Sequence, residues 1–372
     1  MGILRLLLAI SVVAHHCGPV FGLDFVGGQV AVQSFFIMSG FYMALILHEK
    51  YIGVNNSYKL FITNRFMKLY PLYWIVLLIA LFACFGKALL THGHDMAILN
   101  NYGSVKPTIF SFMYLILTNL LIFGQDLVMF LGINPENGNL FFASDFRQTN
   151  PHLHYFLLVP QAWSLGIELT FYLIAPFILR RRTKIIILLI IISLALRFYI
   201  YNYLGLKKDP WTFRFFPTEI MFFLLGYVSY RINLIIKKKN IPLFINLLTL
   251  IAMILFTIFY YYISTIELAY IPFTINEIVY ITCMVIAIPI LFNFLKKNKW
   301  DNHVGELSYP IYISHVLVIM TCGSLPFVSL RAGWCILLIT IILSYLLNKL
   351  IALRIEKYRQ ARLKKPIIAN DK

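Results

Sequence analysis

The sequence predicts an all-α polytopic membrane protein with about ten transmembrane helices, both termini in the cytoplasm and no appended soluble domain. Of its 372 residues, 60% are hydrophobic and 13% are charged, whereas a soluble domain carries about twice that charged fraction. Apolar stretches of membrane-spanning length recur along the whole chain. Lysine and arginine concentrate between these stretches, as expected for cytoplasmic loops.

Ten apolar stretches are long enough for a transmembrane helix, because about 20 helical residues cross the hydrocarbon core of a bilayer. They lie at about residues 3–22, 29–48, 69–86, 162–179, 185–204, 216–234, 242–263, 273–294, 304–322 and 332–352.

The basic segments predict the orientation of these helices. The loop at 49–68, RRRTK at 180–184 and KKNK at 296–299 should all be cytoplasmic. These positions agree with a cytoplasmic N-terminus only if a further apolar run at 108–124 does not cross the membrane. We therefore expect an interfacial or re-entrant segment there. The alternative, an eleven-span protein, would place RRRTK outside.

The chain is predicted to form one membrane-embedded domain at 1–352, followed by a basic cytoplasmic tail at 353–372. The first stretch is interpreted as an uncleaved span, the alternative being a signal peptide that ends at Ala14. The net charge of +17 is explained by the cytoplasmic loops, so nucleic acid is not an expected partner.

Metal and disulfide chemistry are not expected. The five cysteines are odd in number and form no C-x-x-C pair. Two H-x-H pairs occur in segments predicted to lie on the outer side of the membrane. They have neither the helical spacing nor the neighbouring cysteine that would indicate a metal site. An ordinary polar loop is the favoured interpretation of these residues, which are His92, His94 and Asp95 together with His152 and His154.

Arg5 and His16 lie eleven residues apart in the first apolar stretch. At about 100° per residue, this spacing brings them to one helix face, separated by about 16 Å along the axis. Ionisable residues inside a membrane helix predict a functional site. We expect Arg5 to bind an anionic group and His16 to act as a general base. The alternative is a snorkelling arginine and a histidine bonded to a backbone carbonyl.

Arg65 and Lys68 lie one turn apart just before Pro71, so two cations share one helix face. This pattern fits a phosphate-binding site, or alternatively a basic cluster that touches lipid headgroups. Ser39 and Gly40 are interpreted mainly as a helix-packing pair.

Two further segments place polar groups at helical spacing. Ser164 and Glu168 are four residues apart, and a carboxylate there must face the protein interior or a water-filled cavity. The alternative is a structural ion pair. Ser308, Tyr312 and His315 share another helix face, the alternative being a polar contact between helices.

Taken in order, six motifs resemble the acyltransferase-3 family of integral membrane acyltransferases over residues 3 to about 350. The motifs are Arg5 with His16, SFFIMSGF at 34–41, RFMKLYPLYW at 65–74, WSLGIELTFY at 163–172, FFLLGY at 222–227 and SYPIYISH at 308–315. The resemblance implies transfer of an acyl group, usually acetyl, from acyl-CoA to a hydroxyl of a cell-envelope glycan or lipid-linked sugar.

The resemblance also implies roles for these residues. Arg5, Arg65 and Lys68 would bind the phosphates of acyl-CoA on the cytoplasmic side, although Lys68 stands where many members have arginine. His16 would be the catalytic base, with Glu168 or His315 assisting. The residues that would contact the substrates are Trp163, Ser164 and Tyr312. No permanently bound cofactor or metal is implied.

The alternative function is an exporter or flippase of a polysaccharide or lipid-linked sugar, because buried charges among ten spans also suit transport. A sensor or scaffold with a degenerate site is less consistent with the intact set of His16, Glu168 and His315. The expected location is a bacterial inner or plasma membrane, in contact with its lipids.

Overall fold

The computed structural model describes residues 1–92, 95–263, 265–323 and 332–364. His94, Arg331 and the end of the predicted tail lie outside the described residues. The α-helices in the described ranges are numbered α1 to α14 in chain order. They are Gly2–Cys17, Gly27–Glu49, Tyr58–Leu90, Asn100–Val105, Ile109–Leu121, Trp163–Ile178, Thr183–Asn202, Phe216–Ile236, Leu243–Phe259, Ile275–Leu295, Lys299–Glu306, Ser308–Cys322, Ala332–Leu347 and Leu353–Lys364.

The segment between α5 and α6 departs from the predicted all-α pattern. It contains one short antiparallel hairpin, in which β1 (Leu131–Ile133) pairs with β2 (Leu140–Phe142). Single 3₁₀ turns complete the described structure, several of them in this same segment: Gly53–Asn55, Ala97–Leu99, Leu127–Phe130, Phe146–Gln148, Leu153–Phe156, Pro160–Ala162 and Tyr260–Tyr262.

Eight helical segments of the described chain are long and apolar enough to cross a membrane. The protein is therefore a helical, multi-pass membrane protein, as predicted. The segments are Gly27–Glu49, Tyr58–Leu90, Thr183–Asn202, Phe216–Ile236, Leu243–Tyr262, Ile275–Leu295, Lys299–Cys322 and Gly333–Leu363.

The predicted count of ten also included α1 and α6, which have only 16 residues each. A helix of that length spans about 24 Å, less than the ~30 Å thickness of the hydrocarbon core. The count of ten and the cytoplasmic position of both termini therefore stay predictions. Helix α5 has 13 residues, which agrees with a segment that does not span the membrane.

The C-terminal end of α5 is held by aromatic side chains of α3. The hydroxyls of Tyr70 and Tyr73 donate to the carbonyls of Leu121 and Asn119. The Trp74 indole donates to the carbonyl of Leu120 at 2.9 Å. Terminal carbonyls of a helix lack intrahelical partners, so these donors satisfy them. The YPLYW part of the third motif thus fixes where α5 ends.

Helices α2 and α8 pack unusually closely because a glycine lies at each side of their contact. A Cβ atom on Gly40 would come within 1.9 Å of the Phe223 carbonyl oxygen, and one on Gly226 within 2.1 Å of the Ile37 carbonyl oxygen. Phe36 stacks on Phe223 at 4.6 Å beside this contact. The SFFIMSGF and FFLLGY motifs therefore face each other, which agrees with the packing interpretation of Gly40.

A buried ion pair joins three helices next to this contact. Arg197 on α7 donates to Glu219 on α8 at 3.1 Å, and the two side chains are 1% and 0% exposed. Gln33 on α2 donates to the other carboxylate oxygen at 3.2 Å. Because removing one partner would leave an unpaired buried charge, this cluster reads as a structural element.

The predicted tail begins with a docked helix. Two arginines of α14 bind α3: the Arg359 Nε donates to the Asn64 carbonyl at 2.8 Å, and Arg362 donates to the Asn64 side chain at 2.9 Å and to Thr63 at 3.0 Å. A π-helical turn at Asn348–Ala352 connects α14 to the preceding helix. Residues 353–364 are thus packed against the helical bundle.

Asp126 is a buried carboxyl in the segment that follows α5. It is 7% exposed, and its Oδ1 lies 3.1 Å from where a Cβ on Gly166 would be. Burial raises the pKa of Asp126 from 3.8 to about 6, although backbone amide donors act in the opposite direction. The folded state therefore favours the protonated carboxyl.

The α2–α8 contact predicts that Gly40→Ala destabilises the protein strongly, because the added methyl group would overlap the Phe223 backbone. Overpacking usually costs about 1–3 kcal/mol, and a backbone clash lies at the upper end. Thermal unfolding of the detergent-solubilised protein, followed by size-exclusion chromatography, measures the effect. Gly86→Ala in α3 is the control, since nothing lies within 4 Å of its added methyl. An unchanged midpoint for Gly40→Ala would contradict this packing.

The shifted pKa of Asp126 predicts a pH-dependent gain from Asp126→Asn. A carboxyl whose pKa is raised on folding stabilises the folded state below pH 3.8 and loses that contribution as pH rises through about 6. Asparagine resembles the protonated form at every pH. The variant should therefore unfold at a higher temperature than the original protein at pH 7.5, with a clearly smaller difference at pH 4.5.

The matched control for this experiment is Glu136→Gln, which removes an exposed carboxyl from the same segment. We expect it to leave the pH dependence of the unfolding temperature unchanged. A difference between Asp126→Asn and the original protein that is equal at both pH values would show that ionisation of Asp126 does not matter.

Candidate active site

A cavity of about 400 Å³ lies among helices α1, α2, α3, α6, α12 and α14. This volume is in the range of small-molecule binding sites. Of the nine residues that the sequence predicts to be functional, six line the cavity: Arg5, Arg65, Lys68, Ser164, Glu168 and Tyr312. The other three, His16, His315 and Trp163, are not among the lining residues.

Three cations from two helices meet in this cavity. Arg5 comes from α1, and Arg65 and Lys68 lie one turn apart on α3. Within the described ranges, none of the three has a carboxylate within 4.0 Å. Arg65 is 7% exposed, and its Nε has no hydrogen-bond partner in the described part of the chain. Because unpaired charges are costly inside an apolar bundle, this end of the cavity is suited to an anion.

A fourth cation, which was not predicted from the sequence, lines the same cavity. Arg359 of α14 lines the cavity, is 5% exposed and forms an ion pair with Glu356, one helical turn earlier. The spacing of Glu356 and Arg359 is visible in the sequence. That this turn packs against α3 depends on the tertiary fold, so sequence reasoning placed it in a tail.

Glu168 is held by two hydroxyls. Ser39 of α2 donates to its Oε1 at 2.5 Å, and Tyr172, one turn further along α6, donates to the same oxygen. No ion pair of Glu168 is found among the described residues, so the structure does not show the alternative of a structural ion pair. Ser39, interpreted from sequence as a packing residue, thus also belongs to the cavity wall.

A hydrogen-bonded group forms another part of the cavity wall. The hydroxyls of Ser164 and Tyr312 lie 2.6 Å apart, and Tyr312 donates to the Gln161 carbonyl at 3.0 Å. The Gln161 amide donates in turn to the Ile313 carbonyl at 2.6 Å. These contacts join the start of α6 to the middle of α12.

His315 and His16 pack together near this wall, and their ring centroids are 5.1 Å apart. His315 is fully buried, and its Nδ1 lies 2.6 Å from the carbonyl of Tyr312. A carbonyl only accepts, so Nδ1 carries the proton and Nε2 is an unprotonated acceptor. That Nε2 has no partner among the described residues. His16 is exposed at the end of α1, so a buried and an accessible imidazole lie side by side.

Trp163 faces away from the cavity. The guanidinium of Arg214 lies 4.1 Å from its ring centroid, and Arg214 also binds Asp209 at 2.7 Å. Arg147 shares that carboxylate at 3.3 Å. Trp163 is therefore covered by a polar cluster on the side of the bundle where α1 ends.

The predicted H-x-H loops do not form a metal site in the part of the chain that is described. His152 and His154 stack with ring centroids 5.5 Å apart, and no group of three or more His, Cys, Asp or Glu side chains suited to a metal is found among the described residues. Burial lowers the pKa of His154 to about 4, and the charges of His152 and Arg214 add to this effect.

Comparison with known proteins agrees with this arrangement. A family model described as an acyltransferase domain, of the acyltransferase-3 type, matches residues 1–349. An uncharacterized protein of Aquifex aeolicus (strain VF5) is 28% identical over 213 residues, which is 54% of this chain and 89% of the relative. "Protein 2 in picA locus" of Rhizobium radiobacter is 30% identical over 166 residues, or 45% of this chain and 74% of the relative. No solved structure matches the chain.

Proposed function

The chain belongs to the acyltransferase-3 family and is a membrane acyltransferase, and on this premise we propose that it transfers an acyl group, acetyl first of all, from acyl-CoA to a hydroxyl of a cell-envelope glycan or lipid-linked sugar. One observation carries the proposal. Three cations that have no carboxylate partner among the described residues line one cavity, and Tyr312 in the wall of that cavity lies beside a pair of histidines.

The cationic end suits the donor. Coenzyme A carries its phosphates far from its thioester, at the two ends of a long pantetheine arm. In our proposal Arg5, Arg65 and Lys68 bind the phosphates at the cytoplasmic side, and the arm extends along α6 and α12 toward Ser164 and Tyr312. Lys68 supplies charge without the bidentate geometry of arginine, so its contact is less directional.

The histidines suit the reaction. In our proposal His16 removes the proton from the acceptor hydroxyl as its oxygen attacks the thioester carbonyl. The carbon–sulfur bond then breaks, and the thiolate of coenzyme A leaves and takes up a proton. The bare Nε2 of His315 supports a second role, because it can accept a hydrogen bond from the acceptor hydroxyl or from His16.

The remaining predicted residues fit positioning roles. Tyr312 donates to the Gln161 carbonyl, so the Ser164 hydroxyl donates to Tyr312, and in our proposal Ser164 turns from Tyr312 to donate to the developing oxyanion. Glu168 orients Ser39 and Tyr172 beside the donor. Trp163 lies on the side from which the acceptor would approach, in our proposal from outside a bacterial inner or plasma membrane. In this arrangement neither acyl-CoA nor the acceptor has to cross the bilayer.

The histidine assignment predicts that His16→Ala lowers acyl transfer by about 10²–10⁴-fold while the protein stays in the membrane, since general base catalysis contributes that much. Mass spectrometry of surface glycans from cells with the intact gene, a deletion and His16→Ala measures it. An acyl-sized mass should be lost from both defective strains with unchanged glycan amount.

The control for this experiment is His15→Ala, because His15 is exposed beside His16, whereas it is the His16 ring that packs against His315. Near-normal acylation in His16→Ala would remove His16 from the mechanism. Loss of the glycan itself from the surface, with unmodified material retained inside, would indicate the alternative function of an exporter or flippase.

If Lys68 binds the donor, two substitutions of this residue should differ in their KM for acyl-CoA. Lys68→Arg should keep a near-normal KM for acyl-CoA, whereas Lys68→Ala should raise it about tenfold or more, the value of a charge-assisted hydrogen bond. Arg5→Ala should abolish product. Steady-state kinetics of the purified protein measures both effects.

Lys59→Ala is the matched control for the donor prediction, because Lys59 is an exposed lysine near the start of the same helix and does not line the cavity. Its KM should equal that of the original protein. If Lys68→Ala and Lys59→Ala behave alike, Lys68 does not contact the donor.

A further inference from the structure

Helix α14 lies beyond residue 349, where the family match ends, yet it forms part of the cavity wall. Five of its residues line the cavity: Leu353, Ile355, Glu356, Arg359 and Gln360. Their spacing of three and four positions places most of them on one helix face. The opposite face, with Lys357 and Tyr358, is exposed.

The π-helical turn before α14 sets this orientation. A π turn adds one residue to the helical repeat and so changes which side chains face the bundle afterwards. Asn348 at the start of this turn is 2% exposed and also lines the cavity. The lining therefore continues from Asn348 through the π turn into α14.

Arg359 is the buried cation on the cavity face of α14. Its Nε donates to the Asn64 carbonyl, one residue before Arg65, so the backbone of α3 holds the guanidinium beside a second arginine. Arg65 and Arg359 both line the cavity, and Arg359 is bonded to the residue next to Arg65. Glu356 neutralises Arg359 only in part, because that carboxylate is 40% exposed to solvent. Two arginines this close are stabilised by an anion between them.

We infer that Arg359 of α14 is a donor-specificity residue that binds a phosphate of the acyl-CoA donor together with Arg65. This inference rests on the proposed function and deepens it, since it assigns part of the donor site to a helix outside the family match. If Arg359 contacts a phosphate, removing its guanidinium should weaken the binding of ligands that carry phosphate and leave the binding of other ligands unchanged. A purely structural Arg359 would instead affect every ligand of the cavity alike.

Three probes separate these cases: coenzyme A, adenosine 3′,5′-bisphosphate, which keeps phosphates but lacks the arm, and pantetheine, which lacks phosphates. We expect Arg359→Gln to raise the Kd of the full-length purified protein for the first two about tenfold or more and to leave that for pantetheine unchanged. Arg359→Lys should give an intermediate loss, because charge without the guanidinium fork recovers part of the contact.

Two controls accompany these variants. Arg362→Gln removes a docking contact of α14 to α3 without touching the cavity, and Lys357→Gln removes a charge from the exposed face. Both should keep the original Kd values. The KM for acetyl-CoA against that for acetyl-pantetheine should follow the same pattern as the binding constants.

The inference is overturned if Arg359→Gln binds all three probes as the original protein does, or if it raises the Kd for all three probes by the same factor. Either result leaves the proposed function intact, provided that the original protein binds coenzyme A. An original protein that binds neither coenzyme A nor the bisphosphate would overturn the proposed function and this inference with it.

Discussion

Unpaired positive charge inside an apolar bundle is the constraint on which the rest of this structure depends. Eight long apolar segments of the described chain exclude water, yet Arg5, Arg65 and Lys68 meet in a cavity without a carboxylate partner among the described residues. Such an arrangement persists only if the cavity admits water or an anionic ligand. The surrounding helices therefore have to keep an opening of fixed shape instead of closing onto a dry core.

Close packing at one contact supplies much of that shape. Gly40 allows α2 to lie against the backbone of α8, and the residue before it, Ser39, is thereby held where its hydroxyl reaches Glu168. A larger residue at position 40 would move that hydroxyl together with the helix. Helix packing by Gly40 thus positions the hydroxyl of Ser39, which explains why the two residues are adjacent in the SFFIMSGF motif.

Sequence reasoning reached the parts of the site that depend on position within a single helix. The spacing of Arg65 and Lys68, or of Ser164 and Glu168, fixes a shared face before any tertiary contact is known. It missed Arg359, because the approach of α14 to α3 involves residues nearly 300 positions apart. It also could not show that Nε2 of His315 lacks a partner among the described residues. That depends on the tertiary structure, in which Nδ1 of the same ring binds the Tyr312 carbonyl. The number of membrane spans also could not be predicted from the sequence alone. Helices α1 and α6 are short for membrane helices, and their burial depends on the helices that pack around them.

The division of the site into two parts bears on how the proposed reaction avoids hydrolysis. The hydrogen-bonded group of Ser164, Tyr312 and Gln161 adjoins the histidine pair, because the ring centroids of Tyr312 and His315 are 5.9 Å apart. In our proposal the thioester reaches this wall before His16 acts on an acceptor. Excluding water until both substrates are present protects a reactive donor. In our proposal the cations select the donor and the Trp163 side selects the acceptor, so either specificity could change while the histidine pair stays as it is.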